Sequence, residues 1–562
     1  MNPISPLSRW QTRFAFLAAV GLAVPGMAVP TVGSSNTATA DPAVSRPATT
    51  PCAVQLYSNV TFADFSPKPY TYAPPAACPG PWAKVVLEAD FSVTAGRQFD
   101  RTAQIALAHT NIYYGTTAEP SSTVSPSWHV ERDLTDYSSL FRTAQTGEVN
   151  LGNLVNSTYT GIIHGSARVL LYPTGAHASA PRTPDAVLPL STDPGGASLL
   201  ATTASVLAPT FNLPTNIEAA YLDVVAQSQS GDEFWYTCVP DDVADELFSC
   251  GGTSFREAEV TIDGQPAGVA PVYPWIYTGA IDPPLWKPIP SVETLNFTPY
   301  RVDLTPFAGV LGNGHPHQVG VSVYNANNYF LVAASLLLNL DAHSSHVSGA
   351  ITQNTLAAPQ PPTVQENLTK AGDGTVTGTV TVGSNRQFTI AGYVNTSHGR
   401  VDTTVRQALS FSNKQQFTVG TNYIQNINQN TQILASVDSR QGFVTTHTDQ
   451  HFSYPLTLVY SFLANDDGSG SQTVTVDQRR DTQEAGLSPI FPFVSAGLTS
   501  NEVKSTDTIL FDAGGNVTGF QNRNSSQTYT ALATDRTCYS RTITSANGVL
   551  TAVTDSPICG GH

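Results

Sequence analysis

Charged side chains are scarce in this sequence, 12% of 562 residues against 41% hydrophobic. The 26 Lys and Arg are outnumbered by 42 Asp and Glu, giving a net charge of −16, and they form no basic run. That excludes the electrostatic footprint of a nucleic-acid binder or of a protein held on an anionic membrane. A low charge density also limits self-repulsion when carboxylates take up protons, which suits an acidic medium. Only two Met are present, while Gly and Pro are frequent at 42 and 40. Helical bundles are therefore disfavoured, and an all-β fold of many short strands joined by turns is expected.

Several chemistries lack their motifs. No GxSxG elbow, HExxH helix, P-loop or dinucleotide fingerprint occurs. His343 and His346 have no third ligand nearby, and His315 and His317 sit in a turn-like GNGHPHQ, so neither a metal nor a cofactor is expected. The six cysteines form three local couples: Cys52 and Cys78, Cys238 and Cys250, Cys538 and Cys559. None has CxxC spacing, and in an exported chain such couples are disulfide candidates. After the first 28 residues no run reaches membrane-spanning length.

Those 28 residues place Arg9 and Arg13 before an apolar run from Phe14 to Val24, with small residues near Ala28. This is the pattern of a secretory signal peptide, with an uncleaved anchor as the alternative. A secreted or periplasmic monomer without membrane contact after cleavage is expected. Residues 29–50, rich in Ser, Thr, Ala and Pro, read as a flexible leader. Length implies about three domains. Alternating strands over 51–175 and again over 215–350 suggest two β-sandwiches, separated by a linker at 176–214. DLTDYSSL at Asp133 and DLTPFAGVL at Asp303 echo each other and suggest that the two are related. From 351 to 562 the chain becomes rich in Thr, Val, Asn and Gln, reading as an accessory β-rich domain.

Three segments could carry chemistry. Asp100 and Arg101 open a strand, where an acid ahead of apolar residues suits the rim of a cleft; the alternative is a carboxylate capping a turn. Asp232 and Glu233 precede Phe234, Trp235 and Tyr236, a pairing that could raise a carboxyl's pKa and stack a sugar; the alternative puts the rings in the core and the acids in water. In the strand from Phe255, Glu257 and Glu259 share one face while Arg256, Ala258, Val260 and Ile262 share the other. Arg256 on the apolar face must meet a carboxylate or reach a cleft, and Asp263-Gly264 reads as a hairpin turn.

At these residues the chain resembles the peptide N-glycanase A type, the peptide-N4-(N-acetyl-β-glucosaminyl)asparagine amidases. The resemblance lies in FDRTAQIALAHTNIYYGTTAEP, WHVERDLTDYSSL, STYTGI, DEFWY, FREAEVTIDGQPAGVAPVYPWIYTGAIDPPLWKPI, PYRVDLTPFAGVLGNGHPHQVGVSV and LLLNLD, in order from about residue 84 to 345. A more distant similarity to peptide N-glycanase F implies two jelly rolls with the active site at their junction. It makes Phe99-Asp100-Arg101 the counterpart of that enzyme's Trp-Asp-Arg step. The second acid of that enzyme falls here at Gly252, so Glu233 or Glu257 must replace it, and a further acid has only Asn156 as its match.

The resemblance implies hydrolysis of the amide between asparagine and the first N-acetylglucosamine of N-glycoproteins and N-glycopeptides, with core α1,3-fucose accepted. Asp100 would activate water or attack, and Glu233 or Glu257 would supply the acid. Arg101 or Arg256 would orient them, Asp232 would line the site, and Trp235 and Trp286 would stack on the chitobiose. An endoglycosidase with two carboxylates, or a non-catalytic glycan-binding sandwich, are the alternatives.

Overall fold

Strands with one apolar face bury it by pairing into sheets that share a core. The computed structural model describes residues 37–175, 179–487, 495–533, 537–556 and 559. The expected signal peptide and residues 29–36 of the leader lie outside the described residues. The first eight strands are β1 (Cys52–Phe62), β2 (Lys68–Tyr72), β3 (Trp82–Val93), β4 (Thr102–Leu107), β5 (Thr110–Thr116), β6 (Ser127–Asp133), β7 (Gln145–Asn150) and β8 (Ile163–Pro173). One sheet runs β1-β8-β3-β6 and its partner β2-β7-β4-β5. This interleaving is that of an eight-stranded jelly roll. The period of two shows in β3, where Val85, Leu87, Ala89, Phe91 and Val93 all point into the core.

The second set repeats the order. After β9 (Ala186–Pro189), an edge strand on β17, come β10 (Ser198–Leu200), β11 (Thr210–Phe211), β12 (Ile217–Ser228), β13 (Glu257–Ile262), β14 (Gln265–Pro271), β15 (Tyr300–Asp303), β16 (His317–Val323) and β17 (Phe330–Leu340). The sheets run β10-β17-β12-β15 and β11-β16-β13-β14, so each strand takes the place of its counterpart in the first roll. The echoed DLT motifs follow the sixth strand of each roll. Asp133 and Asp303 accept hydrogen bonds from the amides of Thr135 (3.0 Å) and Thr305 (2.8 Å). Leu134 and Leu304 each donate a backbone bond to the third strand of their own roll, at Val85 and Ala220.

Three expectations change. Residues 179–214 are no mere linker, since β9, β10 and β11 lie there; each pairs with its neighbour over two to four residues, too few for alternation to be visible. From Thr37 the leader is tied down as a strap. Ala38 donates to Pro288 O (2.9 Å), Ala40 to Gln527 Oε1 (2.6 Å) and Val44 to Glu131 Oε2 (2.7 Å), while Arg46 pairs with Glu88 and Glu131. Its small side chains let the backbone lie flat on the surfaces it joins.

The third concerns residues from 351 onward: the expected accessory β-rich domain packs directly on the second roll. They form most of an eleven-stranded antiparallel sheet from β18 (Ser348–Asn354) to β28 (Val549–Asp555), with several strands of about twenty residues. One face of this sheet shares a continuous hydrophobic core with the second roll. Phe411 packs on Phe255 (5.1 Å between ring centroids), Tyr454 on Tyr273 (5.1 Å) and Phe452 on Tyr300 (5.1 Å). The Asn and Gln on this face satisfy main-chain carbonyls of the second roll's loops: Asn413 donates to Tyr236 O, Gln415 to Cys238 O and Gln478 to Pro274 O. Cys238–Cys250 and Cys538–Cys559 are disulfides. Cys52 and Cys78 are neighbouring thiols rather than a third bridge.

Candidate active site

The seam between the rolls is built from the ends of β4, β5 and β12. Asp100 and Arg101 enter β4, and the Arg101 amide donates to Thr117 Oγ1 (2.8 Å) while the Thr117 amide donates back to Arg101 O (3.0 Å). This clasp sets Asp100 beside Glu119, two residues beyond Thr117. Across the seam, Thr278 Oγ1 donates to Thr117 O (2.6 Å), and Gln229 and Thr102 are joined at 2.8 Å. The turn after β12 brings in Glu233.

Asp100, Glu119 and Glu233 form one electrostatic cluster. Burial raises the Asp100 carboxyl well above its ordinary range, and the charges of Glu233 and Glu119 push it further, against Arg101. Burial followed by the charge of Glu119 pushes Glu233 up to about 7. Glu119 is also pushed up to about 7 by burial, restrained by Lys287, whose Nζ lies 3.8 Å from its carboxylate, by the Asp100 amide and by Arg101. Asp100 and Glu233 keep part of their surface open, whereas Glu119 is buried. Three carboxyls held so closely cannot all ionise near neutrality, so the cluster carries protons and can act as both acid and base.

The other expected residues fall elsewhere. Glu257 is not in this cluster: it and Glu259 share one face, as alternation requires, and both pair with Arg386 of β20 (Val376–Thr396). Asp232 and Arg256 are a buried ion pair at 3.0 Å, both side chains 1% exposed, and cannot touch a substrate. Arg256 thus meets the carboxylate that its apolar face demanded. Trp235 and Trp286 are also corrected, being 0% and 2% exposed. The first lies between Tyr236 and Phe411, and the second donates its indole N–H to Ala280 O (3.0 Å). Rings with open surface near Arg101 are Phe99 and Tyr159, 5.4 Å apart with Arg97 over both.

Asn156 only builds a turn, accepting from the amides of Thr158 and Tyr159. Gly252 likewise sits in a turn with φ +84°, its amide bound to Asp241. Sequence reasoning missed Glu119. Its signal was the Ala-Glu-Pro step closing the IYYGTT strand, inside the segment that carried the resemblance. Two groups among the described residues could hold a metal ion, Glu88 with His129 and Glu131, and Glu218 with Asp341 and His398. The first is already paired with Arg46 and Arg168, the second with Arg182, and neither includes an acid of the seam.

Two jelly rolls meeting at a seam of three raised carboxyls have the acid and base groups that a hydrolase needs. Residues 41–357 match the family of peptide N-acetyl-β-D-glucosaminyl asparaginase amidase A, and residues 379–456 match the C-terminal domain of the same family. The chain belongs to this family. It is 29% identical over 466 residues to the peptide-N4-(N-acetyl-β-glucosaminyl)asparagine amidase A of Prunus dulcis, covering 78% of this chain and 79% of the relative. Among solved structures, PNGase F of Flavobacterium meningosepticum, a glycosylasparaginase, aligns with 13% identity and a TM-score of 0.35, over 52% of this chain and 96% of that one. PNGF-II aligns with 12% identity and a TM-score of 0.34, over 53% and 66%.

Proposed function

We propose that the protein cleaves the amide bond between an asparagine side chain and the first N-acetylglucosamine of N-glycoproteins and N-glycopeptides. Water oxygen joins the amide carbon, the C–N bond breaks, and a proton passes to the leaving nitrogen. The products are aspartate and the intact glycan as a glycosylamine. The observation that carries this reading is the gathering of Asp100, Glu233 and Glu119 from both rolls into one cluster at the seam. Asp100 and Glu233, the two with open surface, share a proton: the ionised member activates water and the protonated member donates to the leaving nitrogen. Glu119, its rise restrained by Lys287, ionises ahead of Asp100 and so leaves that proton on the pair. Arg101, whose Nη2 donates to Gln98 Oε1 (2.8 Å), flanks Asp100, and Phe99 and Tyr159 offer the sugar its stacking surface.

The protein acts outside the cytoplasm, as a monomer. Two disulfides support an oxidising compartment, and no described helix is long and apolar enough to cross a membrane.

The test is mass spectrometry of a treated glycopeptide. Asparagine converted to aspartate supports the amidase, and a residual N-acetylglucosamine would instead show an endoglycosidase. Asp100→Asn and Glu233→Gln should each lower release by roughly 10²–10⁴-fold, the usual contribution of a positioned acid or base. Wild-type rates from a folded Asp100→Asn would reject the site.

A further inference from the structure

The PPLWKPI segment contributes a cation to the seam, and its backbone is fixed on both sides of that cation. Leu285 O accepts the Ser505 hydroxyl (2.5 Å) from the large sheet, and Pro288 O accepts the Ala38 amide (2.9 Å) from the strap. Between them the Lys287 side chain crosses the seam to the first roll. Its Nζ lies 3.8 Å from Glu119 Oε2 and 3.4 Å from Pro120 O.

We propose that Lys287 is a positioning residue for the hydrolysis, holding Glu119 as the anionic member of the cluster so that the reactive proton stays on the Asp100–Glu233 pair. The inference rests on the site described under the proposed function. Glu119 is faced by Asp100 and Arg101 from the entry to β4, by Glu233 from the turn after β12, and by Lys287. Lys287 is faced in addition by Asp282 and Arg523, and Tyr277 lies beside the Asp100–Glu233 pair. Of the two cations, Arg101 stands next to Asp100 in the chain, and Lys287 alone forms an ion pair with Glu119. Without that ammonium, Glu119 competes for the shared proton. The state with Glu119 ionised and one proton on the pair then forms only at higher pH.

An opposite charge at this distance typically moves a carboxyl by one unit or more. Lys287→Met keeps the aliphatic stem and should move the acid limb of the kcat/KM profile up by about one pH unit. Below that limb the loss is about tenfold, since one unit is tenfold in protonation. Lys287→Arg should restore the wild-type limb. If Lys287→Met does not fold, Lys287→Gln, which keeps a donor for Pro120 O, carries the same test. A merely structural lysine would lower the rate equally at every pH with both limbs in place, and that result overturns the inference. It is distinguishable from failure of the site itself, which a wild-type-like Asp100→Asn would reveal.

Discussion

Asp232 and Arg256 close a buried ion pair at 3.0 Å, and the second oxygen of Asp232 accepts the amides of Asn327, Asn328 and Tyr329 at 2.7–3.0 Å. One residue on, Glu233 turns into the seam. Two adjacent acids thus divide between holding the loop and joining the carboxyl cluster of the seam. Removing one partner of a buried pair leaves an uncompensated charge and costs about 3–5 kcal/mol. Asp232→Ala should therefore lower the urea midpoint strongly, whereas Glu233→Gln should leave it near wild type while abolishing most glycan release. Equal loss of stability in both would contradict the division.

Gly279 has φ +87°, and a Cβ there would collide with the Glu119 carboxylate. Gly279→Ala must displace Glu119 and strain the backbone. Glycan release should drop by at least tenfold, with a fall in melting temperature of only a few degrees, as expected for about 1 kcal/mol. Undiminished release at saturating and limiting substrate would show that Glu119 can move freely.

Glu119 and Glu233 are both pushed up to about 7, so the cluster holds its protons below that pH and loses them above it. The proton needed by the leaving nitrogen is then lost, and kcat/KM should fall about tenfold per pH unit above neutrality. Stability has the same sign. Raised acids bind protons in the folded state that the unfolded chain has released, so stability decreases as pH rises from about 4.5 through 7. A flat kcat/KM between pH 6 and 9 would rule this out.

Asp282, beside the PPLW turn, and Asp507 of β25 (Ser495–Phe511) are both fully buried and face each other; Gln472 also faces Asp282, and Arg523 lies 3.4 Å from Asp507. Burial pushes Asp507 up to about 7, and burial with the charge of Asp507 raises Asp282 well above its ordinary range. Such a pair is stable while it shares a proton and repels once both members ionise. Thermal stability should fall as pH rises from about 4 through 7, and Asp282→Asn should flatten that dependence. An unchanged slope in the variant would exclude the pair as its source.

Much of the fold was readable because period-two alternation and turn residues are local. The hairpin at Asp263-Gly264 appears with both residues at positive φ, +51° and +76°, and β13 has the two faces its alternation required. The short strands of 179–214 were not readable, since composition hides a strand that pairs over only two residues. Nor was the packing of the Thr- and Gln-rich sheet, whose polar inner side chains look solvent-facing until the carbonyls they satisfy are known.

For the site, the sequence determined the chemistry available: acids at Asp100 and Glu233, an arginine that needed a partner, and a segment rich in rings. Which acid meets which is a matter of long-range contact. Asp100 and Glu119 come together through the β4–β5 hairpin, Glu233 arrives from a different roll, and Lys287 arrives on a loop held by residues far along the chain. Burial also decided against Trp235 and Trp286, because aromatics beside acids serve a core as readily as a cleft. Side-chain type is local, but charge coupling depends on distance and desolvation, and only the tertiary structure sets those.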